Sequence, residues 1–403
     1  MKIGFVTETF LPRIDGVTQT LCHVLRHAAA RGDEAIVFAP KGAPPEYSGF
    51  KVIPVTGIPF PPYPDFKLIS PFANIGPRLR AFAPDLVHVL NPVMLGAGAI
   101  VRARNMGIPV VASYHTDVPG FAKRWNLGAF NAILSWYLKT IHNFADLNLC
   151  PSTITIEALK KEGYQRLEMW SRGVDTDRFH PEKRSSAWRN RLTMGHWESP
   201  LLLYVGRLGH EKRIDWIKPA LEALPGVRLA IVGDGPARSS LERMFAGTPT
   251  SFIGSLTGED LAAAYASADV FVFAGANETL GNVILEAMAS GLPVVAPRSG
   301  GLLDHVTDGE TALLFDPDSR PGLVAATRSL VTDQALAHQF GKAGRARMLG
   351  RTWPDVLDKL FNDYADVIVR RNHNPVEHEL IYRTNDVGAS TRGTAKATWA
   401  RSP

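Results

Sequence analysis

The sequence has little cysteine and no long apolar run, and each absence excludes a class of protein. Only two cysteines occur among 403 residues, Cys22 and Cys150, and they form no C-x-x-C pair. That usage is typical of structural thiols in a reducing compartment and excludes a disulfide framework. No apolar stretch of about 18 residues runs without a charge, a proline or a turn signal, so the sequence predicts no membrane-spanning helix.

Targeting and nucleic-acid signals are also missing. The first residues, MKIGFVTETF, lack the apolar core of a signal peptide and include Glu8, so we expect a cytoplasmic protein. No zinc-finger or RNP-like spacing occurs, and no G-x-x-x-x-G-K-[ST] phosphate loop is present. GDGP at 233–236 does not make a dinucleotide fingerprint. The sequence therefore predicts no nucleic-acid partner.

The positive charge is concentrated in the first half of the chain. The net charge is +5, and residues 1–175 carry 18 basic and 13 acidic side chains, whereas the remainder carries 26 of each. This excess is modest for a nucleic-acid-binding protein, but it is compatible with contact to an anionic membrane surface.

Short apolar runs alternate with helical patterns in both halves, which predicts doubly wound parallel sheets. A chain of this length exceeds one ordinary core. We therefore predict an α/β protein with two Rossmann-like, doubly wound domains facing each other across a cleft and a C-terminal helix after the second domain. The predicted strands are residues 2–7, 34–40, 85–90 and 109–115 in the first half, and 201–208, 228–235, 250–254, 269–275 and 292–297 in the second.

The domain boundaries follow from composition. We predict an N-terminal Rossmann-like domain at 1–175, a polar linker at 176–199, and a C-terminal Rossmann-like domain at 200–371. The last domain includes a long helix at 352–371, which has apolar positions at helical spacing. Residues 372–403 are polar and aperiodic, so we expect a disordered tail.

Three strand-to-helix junctions carry residues suited to an anion. Gly16 stands in RIDGVTQT, Arg207 and Lys212 in GRLGHEK, and Gly281 in NETLGN. Ligands of doubly wound sheets bind at such strand ends, where free amides and the helix dipole favour phosphate. Each signal alone is weak, because a glycine in this position is usually only a turn residue. Their combination predicts a diphosphate site.

Two glutamates surround the last of these junctions. Glu278 precedes the helix that starts near Gly281, and Glu286 lies just beyond its first turn. Glu286 is placed to accept hydrogen bonds from a ribose, and Glu278 to reach a second sugar beyond the phosphates. One carboxylate for each sugar, with phosphates between them, describes a nucleotide-sugar site.

The stretch ETLGNVILEAMASGLPVVA resembles the E-x7-E motif of retaining GT-B glycosyltransferases of family 4, and GRLGHEK and DGV resemble that family's diphosphate and glycine-loop motifs. The resemblance covers the chain to about residue 370 and implies the GT-B fold, with 1–175 as the acceptor-side domain and 200–371 as the nucleotide-sugar-binding domain. It implies that Arg207 and Lys212 bind the diphosphate, that Glu286 holds the ribose and that Glu278 contacts the donor sugar. It also implies phosphate contacts at Gly16, Leu280 and Gly281, and a place for His115 near the donor's 6-position. The catalytic set it implies is His115, Arg207, Lys212 and Glu278.

Within the family the sequence is most similar to sulfoquinovosyl-diacylglycerol synthases and related glycolipid synthases, through TETFLPRIDGV, PDLVHVLNP and RGVDTDRF. This resemblance implies a UDP-sugar donor and a lipid acceptor such as diacylglycerol. GDP-mannose-dependent mannosyltransferases are the alternative, through HTDVPGFA and LGRTWP. AGAN before Glu278 and Leu280 within the motif depart from the family pattern and leave the donor-sugar pocket undefined.

The expected reaction is hexosyl transfer with retention, in which the acceptor attacks on the leaving-group face and no metal or other cofactor takes part. DTD at 175–177 and DPD at 316–318 imitate metal-binding carboxylates, but their positions predict turn acids. A non-catalytic sugar-binding protein is the remaining alternative, because such proteins also place two Rossmann-like domains around a cleft.

Residues 120–144 combine basic and aromatic side chains in a helical pattern, including Lys123, Arg124, Trp125, Trp136 and Lys139. Such a stretch either covers the core of the first domain or lies at an anionic membrane surface. With the basic excess and the glycolipid-synthase resemblance, we expect peripheral contact with the inner face of the cytoplasmic membrane.

Overall fold

Continuous apolar runs form two separate parallel sheets, one in each half of the chain. The computed structural model describes residues 1–13, 15–60, 63–115, 128–276, 278 and 280–373. The strands are β1 (Lys2–Thr7), β2 (Glu34–Pro40), β3 (Glu46–Tyr47), β4 (Phe50–Val55), β5 (Ile58–Phe60), β6 (Tyr63–Leu68), β7 (Leu86–Leu90), β8 (Val110–Ser113), β9 (Leu147–Cys150), β10 (Leu167–Met169), β11 (Leu201–Val205), β12 (Arg228–Val232), β13 (Thr250–Gly254), β14 (Val270–Val272), β15 (Val294–Pro297) and β16 (Ala312–Phe315).

Each sheet has the strand order of a doubly wound fold. The first runs β10-β9-β8-β7-β1-β2-β4-β3, and the second runs β13-β12-β11-β14-β15-β16. All neighbours are parallel except β3 and β4, and β5 pairs with β6 in a separate antiparallel ribbon. The strand order reverses between β1 and β7 and between β11 and β14. In such sheets, ligands bind outside the carboxyl ends of the strands at these reversals.

Thirteen α-helices lie in the described part of the chain, most of them between consecutive strands. They are α1 (Gly16–Ala30), α2 (Gly76–Phe82), α3 (Leu95–Asn105), α4 (Gly128–His142), α5 (Thr153–Lys161), α6 (Ser186–Leu192), α7 (Lys218–Ala223), α8 (Arg238–Met244), α9 (Gly258–Ala266), α10 (Asn282–Ala289), α11 (Arg320–Thr332), α12 (Gln334–Leu349) and α13 (Trp353–His373). The predicted α/β architecture with two Rossmann-like domains is confirmed. None of these helices has the length and apolar content needed to cross a membrane.

The packing divides the chain differently from the boundaries expected from the sequence. Phe179 and Leu192 are buried in the core of the second domain, so the segment expected as a linker at 176–199 packs on that domain. The final helix, expected with the second domain, instead buries Leu360 and Tyr364 against the core of the first. The chain thus crosses between the domains twice, once near residue 173 and again near residue 352. The expected disordered tail lies outside the described residues, except that positions 372 and 373 end α13.

We predict that Leu360→Ala lowers the free energy of unfolding of the first domain by about 2–5 kcal/mol, because truncating a buried leucine leaves a cavity. Leu360 is 0% exposed, whereas Val369 on the same helix is 54% exposed. Urea unfolding monitored by circular dichroism measures the change, and Val369→Ala is the control. Equal effects of the two variants would show that α13 does not stabilise the first domain.

Candidate active site

A cavity of about 1030 Å³ lies between the domains, at the carboxyl ends of β11 and β14. The first domain lines it with residues that follow β8, β9 and β10, including Tyr114, Ser152 and Trp170. The second domain contributes the loops after β11, β14 and β15. A cleft of this size at a strand-order reversal is the usual position and volume of a small-molecule site.

Most of the residues singled out in the sequence meet in this cavity. Its lining includes His115, Arg207, Lys212, Glu278, Leu280 and Gly281. Two others lie apart from that lining. Gly16 is at the start of α1, behind the side chain of Arg172, and Glu286 is on the part of α10 that faces Tyr265.

The two cations of the GRLGHEK loop are each paired with a carboxylate. Lys212 Nζ donates to Glu278 Oε2 at 2.8 Å, and both side chains are 21% exposed. Arg207 forms an ion pair with Glu211, four residues further along the chain. Lys212 also lies 5.7 Å from the centre of the Phe273 ring, a cation–π distance that fixes its position over the cavity wall.

The start of α10 presents free backbone amides to the cavity. Gly281 is the N-cap and adopts a left-handed conformation with φ of +79°, which a glycine tolerates and other residues resist. The amides of Leu280, Gly281 and Asn282 donate to no acceptor among the described residues. Unsatisfied amides at a helix N-terminus, together with the helix dipole, form an anion site.

A serine and two glycines after β15 hold the loop that carries Glu278. Ser299 Oγ donates to the carbonyl of Ala276 at 2.9 Å, and the amide of Gly301 donates to the carbonyl of Glu278 at 2.8 Å. Gly300 has φ of +73°, and a Cβ there would overlap the Glu278 carbonyl oxygen. The backbone of Glu278 is thus fixed from the neighbouring strand end. Sequence analysis did not identify this clamp, although the SGG sequence at 299–301, one residue beyond the predicted strand at 292–297, is a signal that could have found it.

Glu286 is held by one hydrogen bond in a desolvated position. Tyr265 donates its hydroxyl to Glu286 Oε2 at 2.9 Å. Burial raises the pKa of Glu286 to about 7, although the Tyr265 hydroxyl and the charge of Arg178 oppose this shift. Its carboxyl group is therefore partly protonated at neutral pH and can both accept and donate a hydrogen bond.

His115 is a neutral imidazole in the cavity wall. It lies two residues beyond β8, with its ring centre 5.6 Å from that of Trp170. Burial, and then the positive charge of Arg172, lower its pKa well below the ordinary value. Its Nε2 has no partner among the described residues. Such a nitrogen is suited to a substrate hydroxyl, not to holding a negative charge.

The first helix also begins at the cleft. Asp15 is the N-cap of α1 and accepts from the amide of Thr18 at 2.8 Å, while Thr9 Oγ1 donates to its other oxygen at 2.7 Å. Both nitrogens of the Arg172 guanidinium lie 2.9 Å from where a Cβ on Gly16 would be. Sequence analysis quoted Arg172 only within RGVDTDRF, as part of the family resemblance, and assigned it no role.

The carboxylates that imitate metal ligands are turn residues, as predicted. Asp175 accepts from the amide of Arg178 at 3.0 Å, and Asp316 accepts from the amide of Asp318 at 2.9 Å. Within the described ranges, no group of three or more histidines, cysteines and acidic residues is arranged to hold a metal ion.

Two family models match the chain. Residues 14–178 match "Glycosyltransferase Family 4", and residues 199–333 match "Glycosyl transferases group 1". A GDP-mannose-dependent alpha-mannosyltransferase of Mycobacterium tuberculosis is 39% identical over 380 residues, which are 92% of this chain and 98% of that protein. The sulfoquinovosyl transferase SQD2 of Arabidopsis thaliana is 36% identical and covers 89% of this chain and 72% of that protein.

A solved structure has the same arrangement of domains. Anabaena Alr3699/HepE in complex with UDP superimposes with a TM-score of 0.74 at 18% identity, covering 91% of this chain and 100% of that one. The fold and the cleft define a two-domain glycosyltransferase. The chain belongs to the family 4 glycosyltransferases of the GT-B fold.

We predict that Glu286→Gln raises the free energy of unfolding relative to wild type above pH 7 and not below pH 5. The pKa of Glu286 is raised from 4.5 to about 7, so folding favours the protonated carboxyl, and this stability is lost as the pH rises through 7. Glutamine has no titratable group and does not lose this stability. The difference in the free energy of unfolding between variant and wild type therefore grows to on the order of 1–3 kcal/mol by pH 8. Urea unfolding at a series of pH values measures it.

The exposed Glu310 is the matched control for this measurement. Glu310→Gln is expected to leave the profile parallel to that of the wild type. A Glu286→Gln profile that also runs parallel between pH 5 and pH 8 would show that the carboxyl is not desolvated.

Proposed function

We propose that this protein transfers a hexosyl residue from a nucleoside diphosphate sugar to a hydroxyl of a lipid acceptor, with retention of configuration. The carrying observation is the convergence of Arg207, Lys212 and the free amides at the start of α10 on one cavity, with Glu278 between the cations and the helix. This set supplies positive charge for a diphosphate and a carboxylate for sugar hydroxyls.

GDP-mannose is the proposed donor. The Mycobacterium tuberculosis protein at 39% identity and a Corynebacterium glutamicum protein at 35%, covering 93% of this chain, are both GDP-mannose-dependent alpha-mannosyltransferases. These relatives support the donor that the sequence analysis gave as its alternative, in place of the UDP-sugar expected there. SQD2 at 36% identity supports a second candidate, a sulfoquinovosyl or related UDP-sugar donor.

The pairs seen in the cleft explain how a donor would be received. Lys212 and Glu278 neutralise each other across 2.8 Å. A bound diphosphate would take Lys212 as its counter-ion, which frees Glu278 to accept hydrogen bonds from the hydroxyls of the sugar. Because the charges are already positioned, little reorganisation accompanies the growth of negative charge on the leaving group.

We propose that no metal ion takes part. As the glycosidic bond breaks, Arg207, Lys212 and the α10 amides stabilise the departing phosphate. Its oxygen then accepts the proton of the acceptor hydroxyl, which attacks on the same face. Glu286 holds the nucleoside ribose from behind the α10 start, and His115 donates or accepts one hydrogen bond at the sugar.

The first domain offers a surface for a lipid bilayer. On α4, Ile133 is 62% exposed and Trp136 is 63% exposed, and the two side chains are three residues apart and so share one face of the helix. Lys139 follows on the same helix. An exposed tryptophan beside basic residues is typical of helices that lie at a membrane surface. Lys123, Arg124 and Trp125 of the predicted segment lie outside the described residues.

We predict that the purified protein releases GDP from GDP-mannose in the presence of lipid acceptor vesicles, and that Lys212→Ala lowers kcat by about 10²–10³, as for loss of a preorganised charge donor. Lys183 is the control, because it forms the same 2.8 Å ion pair with Glu259 outside the cleft, and Lys183→Ala is expected to keep wild-type kcat. Coupled nucleotide-release assays with GDP-mannose, UDP-glucose, UDP-glucuronate and UDP-sulfoquinovose give the rates.

Other results of this assay would change the proposal. Release of UDP from UDP-sulfoquinovose, without release of GDP from GDP-mannose, would make UDP-sulfoquinovose the donor in place of GDP-mannose. A wild-type kcat in Lys212→Ala would contradict the role of Lys212 at the leaving group. Loss of activity in EDTA would contradict the metal-free reaction. A β-linked product, identified by proton NMR, would contradict retention with an α-linked donor.

We predict that Trp136→Ala weakens binding to phosphatidylglycerol vesicles by about tenfold, since burying an aromatic side chain in the interface contributes a few kcal/mol at most. Trp197 is 62% exposed on the second domain, so Trp197→Ala is a control of equal exposure. Vesicle co-sedimentation measures both. Equal binding of the two variants, or no wild-type binding even at low salt, would contradict membrane docking through α4.

A further inference from the structure

Arg172 places a guanidinium in the cleft from the first crossing between the domains. It follows β10 and lines the same cavity as Arg207, Lys212 and Glu278. Both of its terminal nitrogens lie 2.9 Å from where a side chain on Gly16 would begin, so the absence of a side chain at Gly16 makes room for the guanidinium. It thus lies against the start of α1, where the helix dipole is positive.

Arg172 differs from the other cations of the cavity in having no counter-ion in contact. Arg207 pairs with Glu211, and Lys212 pairs with Glu278. Within the described part of the chain, no carboxylate lies within 4.0 Å of the Arg172 guanidinium and no acceptor takes a hydrogen bond from it. Burial lowers its pKa to about 10, against the opposing charges of Asp15 and Glu278, so it remains charged at neutral pH.

An unpaired guanidinium in a partly buried position is unfavourable, because it loses hydration without gaining a partner. Its position next to a helix N-terminus adds to this cost. An anion that enters the cavity turns both the lost hydration and the repulsion by the helix end into favourable interactions. A guanidinium binds phosphate through two parallel hydrogen bonds, and helix amides bind the same group.

The backbone that follows Arg172 is held at the junction where the two crossings meet. A Cβ on the next residue, Gly173, would lie 2.5 Å from the N and Cα atoms of Trp353 in the second crossing. The amide of Val174 donates to the carbonyl of Arg351 at 3.1 Å. These contacts hold the backbone next to Arg172 between the two crossings, so its side chain enters the cavity from a fixed position.

We propose that Arg172 is a third phosphate-binding cation, which contacts the sugar-linked phosphate of the donor from the side of the first domain. This inference rests on the proposed function, because it takes the ligand to be a nucleoside diphosphate. Arg172 lines the same cavity as Glu278, the carboxylate proposed for the donor sugar, which assigns it to the phosphate next to the sugar. Its contact with Gly16 makes that phosphate a bridge between the domains.

The experiment compares nucleoside diphosphate with monophosphate binding. Dissociation constants for GDP, GMP, UDP and UMP are measured by titration calorimetry on the wild type, Arg172→Gln and Arg172→Lys. We expect Arg172→Gln to raise the dissociation constant of the diphosphate that the wild type binds by about tenfold or more, as for loss of one charged hydrogen-bonding group. The dissociation constant of the matching monophosphate should rise by less than about threefold. Arg172→Lys should recover part of the lost diphosphate affinity.

Arg351 is the matched control, because it lies at the same junction and donates Nε to the carbonyl of Arg172 at 3.4 Å but is not part of the cavity lining. Arg351→Gln reports what a disturbed junction does, and we expect it to change diphosphate and monophosphate affinity by the same factor. Thermal unfolding of each variant checks that the domains remain folded.

Two results would overturn the inference and can be told apart. If Arg172→Gln and Arg172→Lys keep wild-type preference for diphosphate over monophosphate, Arg172 has no phosphate-binding role while the proposed function stands. If the wild type binds neither GDP nor UDP, the proposed function fails and the inference fails with it.

Discussion

The two chain crossings between the domains touch at Gly173 and Trp353, and the geometry of the cleft depends on that contact. A side chain at position 173 would overlap the backbone of Trp353, and the Val174 amide bonds to the carbonyl of Arg351 across the junction. Because the second crossing is held there, α13 returns to the first domain and buries its apolar face in that core. The same contact fixes the direction from which residue 172 enters the cleft. One close backbone approach therefore sets both the pairing of the domains and the charge at their interface.

Charge balance is the second constraint on this cleft. The free start of α10 and three cationic side chains face one cavity, and like charges in a partly desolvated space repel more strongly than in water. Two of the cations are compensated by carboxylates from the chain itself, Glu211 for Arg207 and Glu278 for Lys212. An intramolecular carboxylate is a replaceable counter-ion, because a diphosphate carries more charge and offers more acceptors. These two ion pairs thereby stabilise the cationic cavity and leave its cations available to the donor we propose.

The sequence predicted those elements that are specified locally. Strands at 2–7, 34–40 and 250–254 have the bounds expected, since a buried strand in a parallel sheet is a continuous apolar run between turn residues. The helix start at Gly281 and the turn roles of Asp175 and Asp316 were also predicted. Short strands such as β9 and β16 were missed because a run of four residues carries no periodicity. The packing of α13 on the first domain, the Tyr265 hydroxyl on Glu286 and the position of Arg172 are contacts between distant segments, which no local pattern encodes.

The loop that holds Glu278 is continuous with a second contact between the domains. Gly301 donates its amide to the Glu278 carbonyl and begins a short 3₁₀ helix, Gly301–Asp304. At the end of that helix, Asp304 accepts from the amide of Thr153 at 2.7 Å, at the start of α5 in the first domain. A carboxylate at a helix N-terminus is stabilised by both the hydrogen bond and the dipole. Four residues thus connect the backbone of Glu278 to the start of α5 in the opposite domain. Because the segment is a single 3₁₀ turn, the backbone position of Glu278 and the contact between the domains at Thr153 depend on the same short element.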